Sequence, residues 1–304
     1  MKGLLISSKS VDGWDGKNYS LLRLLESAAS KGIDLQVVTP KQIELIVTRG
    51  DRKSILIDDR HTEIPDFVIP RMGAITTFYA LAVIRQLEHL GTYVCNGSGA
   101  IEAVKDKLHM HQLLTHSSLP TPKTMLAKFP VNITVVKREI GFPLIIKNMV
   151  GNQGSGIYLC KTEESFLDIM ELIYTNNADS NIIIQEFIEH SRGKDLRVFV
   201  LGGRVIGCMK RSSESSFKAN FSKGGTVDSF ELSPEAEWLA IEAARLANLD
   251  IAGIDLLFDK DGFKICEANS APGFHGLEQI TGPIIAEKIL DYIKLRVGEV
   301  GQRP

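Results

Sequence analysis

The chain has 304 residues, of which 44% are hydrophobic and 24% charged, and its formal net charge at pH 7 is -2. These values are typical of soluble globular proteins, so they exclude extensive disorder and a non-specific grip on nucleic acid. No apolar run approaches the roughly 18–20 residues that cross a bilayer, and the first residues lack the apolar stretch of a signal peptide. We therefore expect a cytoplasmic protein without membrane contact.

The cysteines and histidines show no pattern typical of disulfides or metal sites. The four cysteines are widely scattered without CxxC spacing, so we predict free, buried thiols in a reducing compartment. His109 and His111 are two residues apart in a predicted helix, where their side chains would point in different directions. A zinc site is not expected.

The N-terminal segment alternates strands and helices, which is typical of an α/β layer. Its predicted elements are strands at 2–7, 34–39, 55–57, 67–69 and 93–95, with helices at 19–30 and 76–90. We assign residues 1–95 to this first domain.

Two further units follow a helical connection. The predicted elements are a single helix at 98–114, a stop at the Pro-rich sequence 119–122, short strands from 124, a helix from about 162, a strand at 182–187, strands around a polar segment at 211–225, a helix at 234–247, two strands and a last helix at 283–297. We expect linker helices at 96–122, a central subdomain at 123–188 and a C-terminal subdomain at 189–304.

A β-hairpin is predicted at Gly253 to Asn269, where two apolar strands flank Asp259-Lys260-Asp261-Gly262. We expect a three-residue loop, 260–262, with Gly262 in the left-handed conformation. Asp259 would then pair with Phe263.

The same register predicts a cluster of oxygen ligands. Counting back from the loop places Asp255 opposite Glu267, with Asn269 on the same face because side chains two residues apart share a face. Carboxylate and amide oxygens suit Mg²⁺ or Mn²⁺. The alternative is a solvated strand face, although Leu257 and Ile265 on that face are apolar.

A glycine-rich segment, Gly151 to Gly156, follows an apolar strand that ends in Lys147. The N–H groups of such a loop can approach phosphate oxygens closely, and the lysine adds positive charge. It is not a Walker loop, because no GK[ST] follows and no helix begins there. A turn without a ligand is the alternative.

Two more segments fit a nucleotide site. The strand at 182–187 runs into a polar segment that could line an adenine pocket and place carboxylates near a ribose; a strand leaving the core is the alternative. Cationic side chains cluster in 210–225, where they could stabilise a transferring phosphoryl group or form a solvated basic loop.

In this order, the segments resemble the ATP-grasp superfamily, and more closely its RimK branch of amino-acid ligases. The matching sequences lie between about Asp66 and Gly282: IPRMG with ITTFYA, DKLHMHQLL, PLIIK with GNQGSG, QEFI, GKDLRVFVLGG, FKANFSKGG, GIDLL and EANSAPGFHGLEQITG. The resemblance implies an α/β (α+β) chain with the ATP-grasp fold and an N-terminal α/β pre-ATP-grasp domain. ATP would lie between two antiparallel sheets.

The resemblance also implies roles for individual residues. Glu186 to Ile188 would frame the adenine and Asp195 would approach the ribose. The residues expected at the nucleotide are Lys107, Lys147, Gly154, Ser155, Gly156, Glu186, Phe187, Ile188, Asp195, Lys218 and Asn220. The metal ligands, for two Mg²⁺ or Mn²⁺ ions, are Asp255, Glu267 and Asn269. The residues expected at the acyl-phosphate or at substrate carboxylates are Arg211, Arg197 and Asn220, with Arg71 as a further candidate.

The implied reaction needs no enzyme nucleophile. An acceptor carboxylate attacks the γ-phosphate of ATP, and the amine of an amino acid captures the acyl-phosphate, so that ADP and phosphate are released. The glycine-rich loop would close over the phosphates and exclude water. Relatives in this branch favour L-glutamate as the added amino acid, an acceptor that is a small molecule or a protein C-terminus, and a homo-oligomer.

The acceptor stays open at this point. His275 stands where the ribosomal-protein modifiers of this branch have a glutamate-like residue. The alternatives are a ligase for another amino acid, a non-catalytic nucleotide-binding regulatory module, and a carboxylating or carbamoyl-forming ATP-grasp enzyme; the short chain disfavours the last, and the intact metal triad disfavours the regulatory module.

Overall fold

The computed structural model describes residues 1–9, 18–48, 54–148, 156–177, 179–219 and 224–300. Its strands are β1 (Lys2–Ile6), β2 (Asp34–Val38), β3 (Ile43–Leu45), β4 (Ile55–Ile57), β5 (Arg60–His61), β6 (Phe67–Pro70), β7 (Tyr93–Val94), β8 (Thr124–Ala127), β9 (Leu144–Asn148), β10 (Ile157–Cys160), β11 (Ile182–Glu186), β12 (Lys194–Leu201), β13 (Arg204–Ser212), β14 (Thr226–Asp228), β15 (Ile251–Asp259) and β16 (Gly262–Asn269). Its helices are α1 (Tyr19–Ser30), α2 (Phe78–His89), α3 (Ser98–Lys105), α4 (Lys107–His116), α5 (Ile133–Glu139), α6 (Glu163–Asn176), α7 (Pro234–Leu246), α8 (His275–Thr281) and α9 (Ile285–Val300). None of these helices is both long and apolar enough to span a bilayer.

The N-terminal part contains a parallel sheet with the strand order β2-β1-β6-β7. The central strands are buried on both faces, because helices cover both. Leu5 packs with Leu24 of α1 and Ile289 of α9 on one side, whereas Leu4 packs with Ile84 of α2 on the other. A small antiparallel sheet, β3-β4-β5, adjoins it. The predicted α/β class is confirmed.

The middle of the chain forms an antiparallel sheet with the order β10-β9-β11-β8. On one face, Leu144 and Ile146 pack with Phe166 of α6 and Val136 of α5. Because strand side chains alternate, Lys147 lies on the opposite face. That face is turned toward the C-terminal sheet.

The C-terminal sheet is antiparallel, with the order β14-β13-β12-β15-β16. One of its faces packs on α7 in a cluster that includes Val198, Ile254, Leu239 and Ala243. Burial of this face leaves the other face to meet the N-terminal part and the middle sheet.

Asn96 joins the N-terminal part to the C-terminal sheet. Its side-chain nitrogen donates to the carbonyls of Ile251 and Ser270 at 2.7 Å each, and its oxygen accepts from the Ile251 N–H at 2.9 Å. These bonds are buried, and they hold the beginning of β15 beside the loop that follows β16. Ser270 directly follows Asn269, one of the predicted metal ligands.

One helical prediction was wrong, and one helix was not predicted. The single helix expected at 98–114 is two helices, because Asp106 leaves the helical conformation (φ -82°, ψ 101°) and its side chain accepts from the His109 N–H at 3.0 Å as the cap of α4. The sequence also gave no sign of α5, because its first residues are mostly β-branched and have low helix propensity. Asn132 caps α5, and Val136 is buried in the core of the middle sheet.

Replacement of Asn96 by alanine should lower the free energy of unfolding by about 3 kcal/mol, since three buried hydrogen bonds are lost at about 1 kcal/mol each. Urea unfolding of the two proteins measures the difference. Asn176→Ala is the control, because its amide bonds the Leu172 carbonyl at the exposed end of α6 and should matter by less than about 0.5 kcal/mol. Equal effects of the two changes would contradict the role of Asn96.

Candidate active site

Polar side chains are concentrated on one face of the C-terminal sheet. Residues that pair across neighbouring strands share a face, and the pairs Asp195–Arg211, Arg197–Asp255 and Asp255–Glu267 define this one. Asn269 pairs with Gly253 on the same face. The face therefore brings together five charged residues that the sequence analysis predicted for the site, together with the amide of Asn269.

Two arginines and two aspartates form a buried ion-pair network on this face. Arg197 donates to both oxygens of Asp255 at 2.7 and 2.6 Å. Arg211 donates to both oxygens of Asp195 at 2.6 and 2.7 Å, and its Nη2 also lies 3.0 Å from Asp255 Oδ2. The network balances its own charge and fixes the orientation of all four side chains.

The pKa values follow from this arrangement. Burial acts to raise the pKa of Asp255, but the charges of Arg197 and Arg211 outweigh burial and hold it below its ordinary value. Burial acts to lower the pKa of Arg211, and the two carboxylates more than reverse the effect. Asp255 is therefore ionised, as a metal ligand must be.

The hairpin register matches the prediction at Asp255 and Glu267 but not at the loop. The loop has two residues, since Asp259 pairs with Gly262 rather than with Phe263, and Gly262 has φ +150°. On this register alone Asp255 would face Cys266. A β-bulge at this point adds one residue to β16 and restores the pair with Glu267.

The donor set on this face fits a hard divalent cation. The Asn269 amide nitrogen donates to the Gly253 carbonyl at 3.1 Å. The amide oxygen, Oδ1, is therefore the atom of this side chain that can bind a cation. Asp255 accepts three bonds out of the roughly four that a carboxylate can accept. Among the described residues, the side chain of Glu267 has no hydrogen-bond partner. The same residues contain no group of three or more His, Cys, Asp or Glu side chains that would form a competing metal site.

A pocket lies between α4, the middle sheet and β16. Its lining residues are Val104, Lys107, Met110, His111, Lys147, Ile157, Cys266, Glu267 and Ala268. Lys147 reaches across it, with Nζ 3.6 Å from the Sγ of Cys266. Burial raises the pKa of Cys266, although the charge of Lys147 opposes this, so the thiol stays protonated. The pocket thus joins Lys107 and Lys147 to Glu267.

His111 is a buried wall of the pocket that the sequence did not identify. Its Nε2 lies 3.1 Å from the amide nitrogen of Gln185, which also donates to Thr124 Oγ1 at 2.7 Å. Since Gln185 can only donate from that atom, His111 accepts at Nε2 and has its proton on Nδ1, for which the described segments offer no hydrogen-bond partner. Burial, together with the charge of Lys147, lowers the pKa of His111 to about 4.

The predicted adenine end of the cleft lies where β11 ends. Glu186 Oε1 accepts from Lys264 Nζ of β16 at 2.6 Å and from the Lys123 N–H at 2.9 Å. The bond to Glu186 raises the pKa of Lys264 against the effect of partial burial. This ion pair connects the middle sheet to the C-terminal sheet. No local sequence pattern indicates Lys264 as a site residue, because its partner is 78 residues away.

Phe187 and Ile188 directly follow Glu186 in the chain. The Phe187 ring meets that of Phe217 edge-on at 6.4 Å, and Lys218 Nζ lies 5.3 Å from the centre of the Phe217 ring. Ile188 is buried. The segment before Lys218 is therefore next to the end of β11, as expected for one nucleotide site.

Three predicted residues, Gly154, Ser155 and Asn220, lie outside the described residues. Gly156 has φ +71°, a conformation that favours glycine, immediately before β10. Lys147 pairs with Ile157 across the hairpin. The strands before and after the glycine-rich segment, β9 and β10, therefore pair antiparallel.

Comparison with known proteins gives two family matches. Residues 14–101 match the family model of a RimK PreATP-grasp domain, and residues 104–293 match that of a RimK-like ATP-grasp domain. A protein of Methanococcoides burtonii named "Probable alpha-L-glutamate ligase" is 37% identical over 288 residues, which are 94% of each chain.

Solved structures share the fold. The ATP-grasp protein with a RimK domain from Sphaerobacter thermophilus has a TM-score of 0.74 at 18% identity, with 96% of this chain and 99% of that chain covered. The ATP-grasp ligase PsnB, in complex with a minimal precursor, Mg and ADP, has a TM-score of 0.72 at 19% identity, with 97% and 98% covered.

His111→Gln should remove a pH-dependent loss of stability. A histidine in the unfolded chain has a pKa of about 6.5, whereas folded His111 has a pKa of about 4, so the unfolded chain binds an additional proton between these values. From pH 7 to pH 5 the free energy of unfolding should fall by about 2 kcal/mol more in the native protein than in the variant. Urea unfolding at both pH values measures this, with exposed His61→Gln as the control. Identical pH dependence of native protein and His111→Gln would contradict the prediction.

Proposed function

The chain belongs to the RimK-like ATP-grasp family and is an ATP-dependent carboxylate–amine ligase; from this premise we propose that it adds L-glutamate to an acceptor carboxylate through an acyl-phosphate. The relative from Methanococcoides burtonii is named for a glutamate ligase. A ligase that uses another amino acid is the second candidate, to be decided by the product.

The observation that supports the proposal best is the pocket between the two sheets. It combines two lysines, Lys107 and Lys147, with the carboxylate of Glu267. Lysines of this kind offset the charge of a triphosphate, while the carboxylate belongs to the donor set that fits a cation. We propose that the phosphates of ATP lie here.

We assign the metal to Asp255, Glu267 and Asn269. PsnB is similar in fold and binds Mg and ADP, and we infer the same for this chain, with two ions and with Mn²⁺ as a substitute. When bound, the metal would offset negative charge on the terminal phosphates. Arg197 and Arg211 hold Asp255 ionised and in place, so this ligand needs no rearrangement before the metal binds.

The same arginines would stabilise the acyl-phosphate. Their guanidinium groups are held by two aspartates in a largely buried site, so they are already oriented when charge develops nearby. Asn220 and Lys218 would act from the segment beside Phe217, and Gly154 to Gly156 would cover the phosphates. At the other end, Glu186 to Ile188 would hold the adenine and Asp195 would lie toward the ribose.

The reaction would proceed in two steps. The acceptor carboxylate attacks the γ-phosphorus of ATP and ADP leaves; the amine of L-glutamate then attacks the acyl carbon, loses a proton and expels phosphate. In this scheme the chain supplies no nucleophile, and its residues bind, orient and exclude water. The acceptor would be a small acid or a protein C-terminus.

A screen for ADP release tests the proposal. Purified protein is incubated with ATP, Mg²⁺ and candidate acceptor acids, with and without L-glutamate, and the products are identified by mass spectrometry. Glutamate-dependent release of ADP with a matching amide product is expected. ATP binding without turnover on any acceptor would instead indicate a regulatory nucleotide-binding module.

The intermediate is tested with oxygen-18 in the acceptor carboxylate. Attack at the γ-phosphorus transfers one labelled oxygen to inorganic phosphate, because the acyl carbon–oxygen bond breaks in the second step. Mass spectrometry of the phosphate should detect the label. Label in AMP would instead indicate an adenylate and would contradict the mechanism.

Glu267→Gln should reduce turnover at least about 100-fold by removing a metal ligand while the shape is kept. The free energy of unfolding should change by less than about 0.5 kcal/mol. Asp255→Asn should also stop turnover but should destabilise the fold by about 3 kcal/mol, because it leaves buried arginines without their partner. The control is Glu237→Gln on α7, which covers the opposite face of the same sheet. Near-normal turnover of Glu267→Gln would remove the metal assignment.

A further inference from the structure

Arg71 lies at the carboxyl end of β6 in the N-terminal parallel sheet. Its N–H continues the pairing with β1 by donating to the Ile6 carbonyl at 2.8 Å. Its side chain extends away from the sheet, and Nη2 donates to the Pro272 carbonyl at 2.7 Å, in the loop after β16. The crevice at the carboxyl ends of parallel strands is where α/β proteins commonly bind ligands.

The guanidinium of Arg71 has no carboxylate partner among the described residues. Within the described part of the chain, Nη1 is buried and has no hydrogen-bond partner. Arg197 and Arg211, by contrast, are both paired with aspartates. Burial lowers the pKa of Arg71 to about 10. Arg71 is partly buried, and an arginine with a buried guanidinium nitrogen is usually paired, so its guanidinium can accept an anion from outside the chain as its partner.

Arg71 is next to the reaction site through Pro272. A Cβ added to Gly253 would come 2.6 Å from Pro272 Cβ and 3.7 Å from Arg197 Nε, so the proline packs directly on the strand beside the Arg197–Asp255 pair. Only glycine at position 253 permits this approach. The Arg71–Pro272 contact therefore borders the face that contains the predicted metal ligands.

An apolar wall lines the other side of Arg71. The guanidinium carbon lies 5.9 Å from the centre of the Phe274 ring, and Phe274 itself is fully buried. Phe274 also meets Phe199 of the C-terminal sheet edge-on at 6.3 Å. An apolar surrounding of this kind strengthens a charge-assisted hydrogen bond to an anion.

We propose that Arg71 binds a substrate carboxylate other than the one that becomes phosphorylated. The inference rests on the proposed function, in which the reacting carboxylate lies at the metal ligands and the lysine pocket. Arg71 is separated from that position by Pro272, so it reaches a different part of the substrate. The bound carboxylate belongs either to the amino acid or to the acceptor, and both sources share the same chemistry.

The test measures binding of two probes by isothermal titration to the full chain with Mg²⁺ and a non-hydrolysable ATP analogue. L-glutamate represents the amino acid, and glutarate, which has no amine, represents an acceptor acid. In Arg71→Met we expect roughly 10- to 100-fold weaker binding of at least one probe, the loss expected for a charge-assisted hydrogen bond. Affinity for the ATP analogue should stay unchanged.

The outcomes distinguish the sources. Weaker binding of L-glutamate alone places the amino acid at Arg71, and weaker binding of glutarate alone places the acceptor there. Unchanged binding of both probes, or no binding of either to the native protein, overturns the proposal. If probe binding depends on Arg71 while no acceptor supports ADP release, the proposed reaction fails and the carboxylate site stands.

A stability measurement separates binding from a structural role. If Arg71 binds an anion from outside the chain, Arg71→Met should leave the midpoint of thermal unfolding of the ligand-free protein unchanged or raise it. The reason is that the variant removes a partly buried guanidinium charge that has no carboxylate partner among the described residues. A lower midpoint with unchanged binding would show that Arg71 only supports the loop after β16. Arg296→Met is the matched control: Arg296 also has a buried nitrogen without a partner and lies 5.8 Å from the Tyr93 ring, but it pairs with Glu299. It should not affect binding of either probe.

Discussion

The active site depends on one buried carboxylate, Asp255, held between two arginines. A lone carboxylate at this depth would be protonated, since burial favours the neutral form. Arg197 and Arg211 reverse that preference, and Asp195 in turn balances the second arginine. Such a network adds little net stability, because desolvation of the charges offsets their attraction. Its consequence is geometric: an ionised carboxylate is fixed beside Glu267, where we propose that the metal binds.

The cleft is built from two sheets that follow each other in the chain, and polar contacts between their strands connect them. Lys147 meets Cys266 at one end, and Glu186 pairs with Lys264 at the other. The ion pair is partly exposed, so we expect it to contribute about 1 kcal/mol or less. Weak links of this kind are compatible with opening and closing around a nucleotide, whereas the apolar cores on the outer faces of both sheets keep each sheet rigid.

The N-terminal part is attached to the C-terminal part of the chain more firmly than the middle sheet is, and the contacts lie next to the candidate site. Asp250, just before β15, accepts from Tyr93 at 2.7 Å and from Tyr292 of α9 at 2.5 Å. Glu278 of α8 is fully buried and accepts from Tyr19 at 2.8 Å and from the first N–H group of α9, at Ile285, at 2.7 Å. These contacts surround the loop after β16 and fix it against the N-terminal part. Arg71 contacts the same loop at Pro272.

The sequence alone determined the α/β class, the family and most strands and helices, because these follow from local periodicity and from motifs that are contiguous in the chain. It also predicted the pair Asp255–Glu267, although a two-residue loop and a β-bulge at Cys266 together produce the register that a three-residue loop was expected to give. Only the tertiary structure decided the partners of each charge. The arginines that hold Asp255, the contact of His111 with Gln185 and the contact of Arg71 with Pro272 all join segments distant in sequence, for which no local pattern exists.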